Sequence, residues 1–395
     1  MWATAAVAAA ALAPARAVLA APGATEARGY VYSDNGGVRV TTAVASAVQR
    51  LPRAITVSVR AVADFIQIRK RVLDPSDPGA AMQLTGHHHP DAVTSASSTA
   101  GGGGVAEKWR FEGAASVATD RVVRGAPTGL SLFARGSSEP DYKSVSEQVA
   151  GSVELFERNL VLSAFVGGGH DWVQPVEAPP GQAGMWPATH QRVTGGVTVS
   201  QLLTPRLALR GGAGVSAQWG MLSNPYRRAI VLPAGATVGT LFPEVLPRWR
   251  DRFTGFVGLS WAVGAGFALH VQQGAYIDTW EVAALIPEAM LARAIGDRGI
   301  AYVRYRFYAQ TPAWFHSSHY HTLDTPFLSG DPRLGAVRDH TAGAEVRLRI
   351  AGNPVTGFAF MVGASYDVSI LHYESTSALV GHVGMLSLAA AYGGE

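Results

Sequence analysis

The chain has 395 residues, only 15% of them charged, with 45 glycines and no cysteine; an average soluble domain carries roughly 25% charge. Without thiols, disulfides, thiolate metal centres and c-type haem attachment are excluded. The formal charge of +3 is small and the arginines are dispersed, so nothing marks a nucleic-acid surface.

Residues 1–23, MWATAAVAAAALAPARAVLAAPG, read as a secretory signal peptide. Ala5–Ala13 form its short apolar core, and Ala15-Arg16-Ala17 or Val18-Leu19-Ala20 suit the peptidase, although no Lys or Arg precedes the core. Residues 24–395 form the mature unit. No run of 18 apolar residues occurs beyond the signal, so no transmembrane helix is expected.

Two strands, 26–33 and 38–49, flank "SDNGG" (33–37), which has tight-hairpin chemistry. The next, 54–68, sets Ile55, Val57, Val59, Ala61, Ala63 and Phe65 against Thr56, Ser58, Arg60 and Asp64. The same alternation predicts strands over 107–121, 128–137, 144–156, 160–172, 191–203, 207–220, 250–263, 267–280 and 282–294. Pro287 would interrupt the ladder of the last of these. In 300–311, Val303, Tyr305 and Phe307 share one face, and Arg304, Arg306 and Tyr308 the other. Strands 339–351, 355–370 and 379–392 complete sixteen, with fourteen as the alternative count.

Runs of this length exceed the five or six residues of a globular strand and match a tilted strand crossing a bilayer. Connections alternate: short ones such as "RLPR" (50–53) and "GDRG" (296–299), long ones at 69–106, 173–189, 221–248 and 314–336. The expected fold is all-β, an antiparallel up-and-down transmembrane β-barrel with short periplasmic turns and long extracellular loops in a Gram-negative outer membrane. Closure is required because hydrocarbon cannot satisfy an open sheet edge. Expected partners are the lipid bilayer and the barrel-assembly machinery; a homo-oligomer or a periplasmic partner stays open. Aromatics near strand ends, Trp109, Tyr142, Trp172, Trp219, Tyr226, Trp249, Trp261, Trp280, Trp314 and Phe315, are expected to form interface girdles.

Motifs at loop edges are more particular: "YVYSDNGGVRV" near the N-terminus, "SSEPDYKSVS" (137–146), "VSQLLTPR" (199–206), "GMLSNPYRR" (220–228), "FPEVLPRWRDRF" (242–253), "YRFYAQTPAWF" (305–315) and "SGDPRLGA" (329–336). In this order they resemble the bacterial family known as domain of unknown function 3570, over residues 29–392. In "QGAYIDTWEV" (273–282), Tyr276, Asp278 and Trp280 fit the family run Tyr-Arg-x-Tyr-x-Asp-x-Trp, but its arginine is absent. The resemblance implies an exported outer-membrane barrel and brings no activity or catalytic residue.

If the strands close, the polar faces line a lumen. Arg39, Arg60, Arg110, Arg135, Arg192, Arg210, Arg252, Arg304, Arg306, Arg347 and Arg349 would point inward, with Asp64, Glu112, Asp120, Glu154, Asp278 and Glu345. Excess arginine would favour anions; pairing of the same groups would instead brace a closed barrel. Loop 221–248 is expected to pack on or into the mouth. The histidines of "GHHHPD" and "HSSHYH" (His87, His88, His89, His316, His319 and His321) would be solvated loop groups; metal binding by them is the lesser alternative. No cofactor is implied. Hydrolase elbows, phosphate loops and zincin motifs are missing, so no enzyme is expected; His170–Asp171 with Ser163 and Asp339–His340 are pairs any histidine-bearing chain supplies. The reading is a channel or transporter for small polar or anionic solutes. The alternative is a structural or interaction barrel serving a secretion, export or electron-transfer assembly.

Overall fold

The computed structural model describes residues 23–70, 104–175, 184, 187–236, 239–352, 357–374 and 378–392. Residues 1–22 of the expected signal segment and His87–His89 lie outside them, while Gly23, the last residue of that expected segment, begins the first strand. Its strands are β1 (Gly23–Asp34), β2 (Val38–Leu51), β3 (Ile55–Lys70), β4 (Gly104–Val123), β5 (Ala126–Ser138), β6 (Tyr142–Leu155), β7 (Leu160–Val173), β8 (Ala188–Thr204), β9 (Leu207–Gly220), β10 (Arg228–Val231), β11 (Thr240–Pro243), β12 (Trp249–Gly264), β13 (Phe267–Asp278), β14 (Ala283–Ile295), β15 (Gly299–Gln310), β16 (Val337–Gly352), β17 (Phe358–Tyr373) and β18 (Leu379–Tyr392). Sixteen form one closed antiparallel barrel; β10 and β11 pair separately. Each barrel strand lies beside its chain neighbours, with β9 passing directly to β12.

The seam joins β1 to β18 over twelve residues, from Gly23 opposite Tyr392 to Asp34 opposite Gly381. Side chains stitch both ends of it. Tyr392 Oη donates to Gln49 Oε1 at 2.7 Å. At the other end Asn35 Nδ2 donates to the Ala378 carbonyl, and the Val380 N–H donates to Asn35 Oδ1. The "SDNGG" hairpin forms as expected, with Gly37 at φ 92°, a conformation glycine adopts without penalty. Pro287 sits inside β14 without breaking it. The ladder to β13 is continuous through Gln273–Pro287, whereas no pairing occurs at Ile286 and Pro287 on the β15 side.

Outward rows carry large apolar side chains with nothing over them: Val59, Val197, Val257 and Val303 are each more than half exposed, and Leu386 is 71% exposed. A water-soluble sandwich would bury these groups; here the belt is continuous round the wall, the arrangement a bilayer stabilises. Trp109, Trp172, Trp219 and Trp249 face outward at the long-loop end, where Trp219 stacks on Trp249 at 5.5 Å between centroids. Trp261 and Tyr392 mark the opposite end. The remaining girdle expectations fail, four because the aromatics lie in loops and one, Tyr142, because its strand turns it inward. Local alternation does not show which aromatics belong to loops: Tyr226, Trp280 and Phe315 are buried among loop residues, and Trp314 packs on Phe315 and Phe327. Tyr142 lies on the inward row with Ser144 and Ser146.

Among the charged residues on the outward rows, Glu147 of β6 stands deepest from the strand ends. It lies on the exposed row between Val145 and Val149, and its Oε1 would lie 3.0 Å from a Cβ at Gly168. A carboxylate on the lipid face is unfavourable, though less so than a buried lysine or arginine. Glu147→Leu is expected to stabilise the barrel in lipid by about 1 kcal/mol, read as a raised midpoint of urea unfolding in vesicles. An unchanged or lowered midpoint would show that the carboxylate has a partner in the membrane.

Candidate functional site

The inward rows build a charged wall. Asp64, 2% exposed, accepts from Arg110 Nε at 2.6 Å and from Thr42 Oγ1 at 2.5 Å. Arg135 Nη2 meets Glu112 at 2.5 Å. Arg304 is bidentate on Asp367, at 2.8 and 2.5 Å, and also faces Glu345 at 3.5 Å. Glu345 is shared with Arg347. Arg306 lies between Glu288 at 3.1 Å and Asp339 at 3.7 Å. Across the barrel Asp171 takes His190 at 3.0 Å and Arg192 at 3.5 Å.

The expected excess of arginine over acid therefore shrinks. Glu26, Asp171, Glu288, Asp339 and Asp367 also face inward. Asp367 stands on the polar row of β17 that alternation alone reveals, with Ser365 and Ser369; the other four sit near strand ends or, for Glu288, beside Pro287. Arg39 is a correction: it faces outward, paired in register with Ser33 and Gln67, because Val38 and Val40 take the inward positions of β2. Arg349 reaches the short turn after β14, where its Nη2 donates to the Asp297 carbonyl at 3.1 Å, so it serves that rim rather than the mid-lumen. Among the described residues Arg60, Arg210 and Arg252 face inward with no acidic partner within 4 Å; Arg252 is buried beside Arg250, opposite Asp278, whereas Arg60 and Arg210 stand on the open wall. Both stand in the short-turn half of the wall, Arg60 on β3 and Arg210 on β9.

Two long loops pack together as a cap at the long-loop end. Residues 221–248 and 311–336 interlock: Val231 bridges Tyr320, and Val245 bridges Leu328. Ala229, Val231, Tyr320 and Leu328 form one apolar cluster, with Phe242 against it. A second cluster gathers Leu246, Trp280, Val282, Ala313, Phe315 and Leu334, with the inward-facing Tyr276 packed on it. The cap is tied to the wall. Gln310 Nε2 donates to the carbonyls of Arg333 and Gly335 at 2.7 and 2.8 Å. Asp278 accepts from Arg250 and Tyr276 and from the backbone N–H groups of Trp280 and Val282, while the Arg250 guanidinium lies 4.1 Å from the Trp280 ring centroid. The arginine absent from the 273–282 run is thus met by one from the neighbouring strand β12. Inside the cap Arg227 is fully buried and ion-paired to Asp331, which also holds Arg333. Burial pushes the Arg227 guanidinium well below its ordinary range; Arg333 adds to the effect and Glu244 opposes it.

His316 belongs to this packing. Its Nε2 is buried without a partner, and burial pushes its imidazole down to about 4, with Glu374 opposing weakly. The unfolded or undocked loop binds a proton near pH 6.5, whereas the docked one does so only near pH 4. Docking is therefore fully stable above about pH 6.5 and weakens progressively as the pH falls toward 4. Proteolysis of the cap loops is expected to accelerate between pH 7 and pH 4.5, and His316→Leu should flatten that dependence.

Of the other loop histidines, the two described ones form no metal-sized group. His319 and His321 stack edge to face at 4.9 Å, but their Nδ1 atoms engage Ser318 and the Leu232 carbonyl. Among the described residues no three His, Asp or Glu side chains form a metal-sized group. Alternation also splits the two residue pairs weighed for hydrolysis. His170 faces out and Asp171 in; His340 faces out, bonded to Tyr305 Oη at 2.8 Å, while Asp339 faces in.

The barrel is similar to solved outer-membrane proteins at low identity. The ferric enterobactin receptor PfeA of Pseudomonas aeruginosa matches at 10% identity and TM-score 0.42, over 88% of this chain and 53% of that one. This chain thus spans about half the receptor's length. The outer membrane protein OpdK of Pseudomonas aeruginosa matches at 9% identity and TM-score 0.42, over 93% and 98% of the two chains. The monoaromatic hydrocarbon channel CymD matches at 8% identity and TM-score 0.41, over 95% and 89%. No curated protein matches the sequence. The model of a family described as protein of unknown function, DUF3570, matches residues 1–369, and the chain belongs to that family.

Proposed function

We propose that this protein is an outer-membrane channel or transporter for small polar solutes, with a preference for anions. The observation that carries the reading is Arg60 and Arg210, two inward guanidinium groups on the open wall without acids, beside a series of ion-paired arginines inside a closed barrel with an apolar exterior. Paired arginines brace the wall and present little net field; unpaired ones remain available to bind carboxylate or phosphate bidentately. Sixteen strands are enough to enclose an aqueous passage. The cap, packed on wall residues at the extracellular end, would then act as the selective entrance.

The test is current through purified protein in planar bilayers. A steady anion-biased conductance is expected, and Arg60→Glu combined with Arg210→Glu should move the reversal potential in a salt gradient toward cation preference. The double variant should fold, because neither side chain is paired. Selectivity unchanged by the double variant would remove the anion preference from the reading. A second reading, a structural barrel binding a partner assembly, is favoured by the density of ion pairs and the interlocked cap. It predicts a sealed barrel that carries no current and co-purifies with another protein.

A further inference from the structure

The outer wall carries a trough of about 1300 Å³ between β17 and β7. Its floor is made by register. Ala27, Ala45, Ala61, Gly113 and Gly136 stand directly opposite one another across β1, β2, β3, β4 and β5. All face outward, so along this row five adjacent strands offer no side chain beyond a methyl group, with Phe111 of β4 standing beside it. Leu386 and Leu388 of β18 wall one end, and Val145 and Trp172 the other. From β1 to β6 the floor runs about 24 Å, five strand spacings.

The trough is not uniformly apolar. Lys143 lines it at the long-loop end, directly opposite Trp172 on β7 and Ser138 on β5. No acidic partner is found for Lys143 among the described residues. Arg39, also outward, stands on β2 four positions nearer the loops than Ala43. Two outward carboxylates lie near this end. Glu107 accepts from Gln67 at 2.9 Å, and Glu147 lies over Gly168 on β7, and neither lines the trough. The surface thus pairs a long shallow apolar bed with a cation at its extracellular end.

We infer that this trough seats an acyl chain of an anionic outer-leaflet glycolipid, with a lipid A phosphate held by Lys143. The charge and the bed select an amphiphile with an anionic head near the loops and an extended hydrocarbon tail. A second copy of the chain is a poor occupant. An isologous contact would bring the same concave surface from both sides and leave the floor unfilled. The orientation rests on the outer-membrane reading above.

The test is native mass spectrometry of protein extracted in mild detergent and incubated separately with purified lipid A and with phosphatidylglycerol. The expected result is one retained lipid A per barrel and at least tenfold less phosphatidylglycerol. Gly113→Phe should abolish retention by filling the bed. A Cβ at Gly113 meets nothing within 4 Å, so this variant should fold. Lys143→Glu should lower retention about tenfold. Gly384→Phe, also with open space at its Cβ but outside the trough, should leave it unchanged. Equal retention in wild type and Gly113→Phe, equal retention of both lipids, or a dimer mass that Gly113→Phe reduces to monomer would each overturn the inference. Conductance of Gly113→Phe should equal that of wild type, so failure here is separable from failure of the channel reading.

Discussion

Removing residues 228–243 is expected to raise single-channel conductance severalfold while leaving the barrel intact. The excision takes out β10 and β11, which pair only with each other as strands, so no barrel ladder is touched. It also closes easily, because the Glu244 N–H already donates to the Arg227 carbonyl at 3.2 Å. What is lost is Ala229 and Val231 from beneath Tyr320 and Leu328. That frees residues 316–328 from one of their two bridges. If the cap sets the narrowest point of the path, current must rise; unchanged conductance would place the constriction deeper, on the wall itself. A sealed wild-type barrel that opens only after the excision would identify the cap as a closure.

The second large effect falls on Asp278. Its side chain is fully buried, facing Arg250 across the β12–β13 pair and capping the turn that presents Trp280. Asp278→Ala leaves Arg250 buried without its partner and Arg252 beside it uncompensated. Breaking a buried pair from one side costs about 3–5 kcal/mol. The expected readout is a sharp fall in the temperature at which the folded band converts to the unfolded one in detergent electrophoresis. Asp278→Asn should lie between, since an amide oxygen can still accept from the Trp280 and Val282 N–H groups. Equal loss in both variants would mean that the charge matters and the turn does not; no loss in either would remove Asp278 from the list of anchors.

The barrel was legible because its signal is local and repeated. Each strand states its inward and outward rows in alternating residues, and sixteen such statements fix both the strand number and the side on which the ends emerge. The family run around Tyr276, Asp278 and Trp280 was legible as a motif. Its partner Arg250, twenty-eight positions earlier than Asp278, was not, since nothing in the sequence says that β12 brings it alongside. The same limit explains the lumen. Arg304 and Arg306 could be assigned inward from their neighbours, but their carboxylates, Asp367 and Glu288, come from strands that only register brings close. Loops gave the poorest reading, because a loop aromatic such as Trp280 and a membrane-facing one such as Trp249 have the same local surroundings.

The Asn35 clasp with Ala378 and Val380 bears on how such a protein can change size. Both margins of the sheet are used up where β1 meets β18, so a lone inserted strand would reverse the direction of one terminus and unmatch that clasp. Growth or shrinkage by whole hairpins keeps the two ends on the same side of the bilayer. Length variation that leaves the clasp intact should therefore appear in connecting loops or as paired strands, never as an odd one.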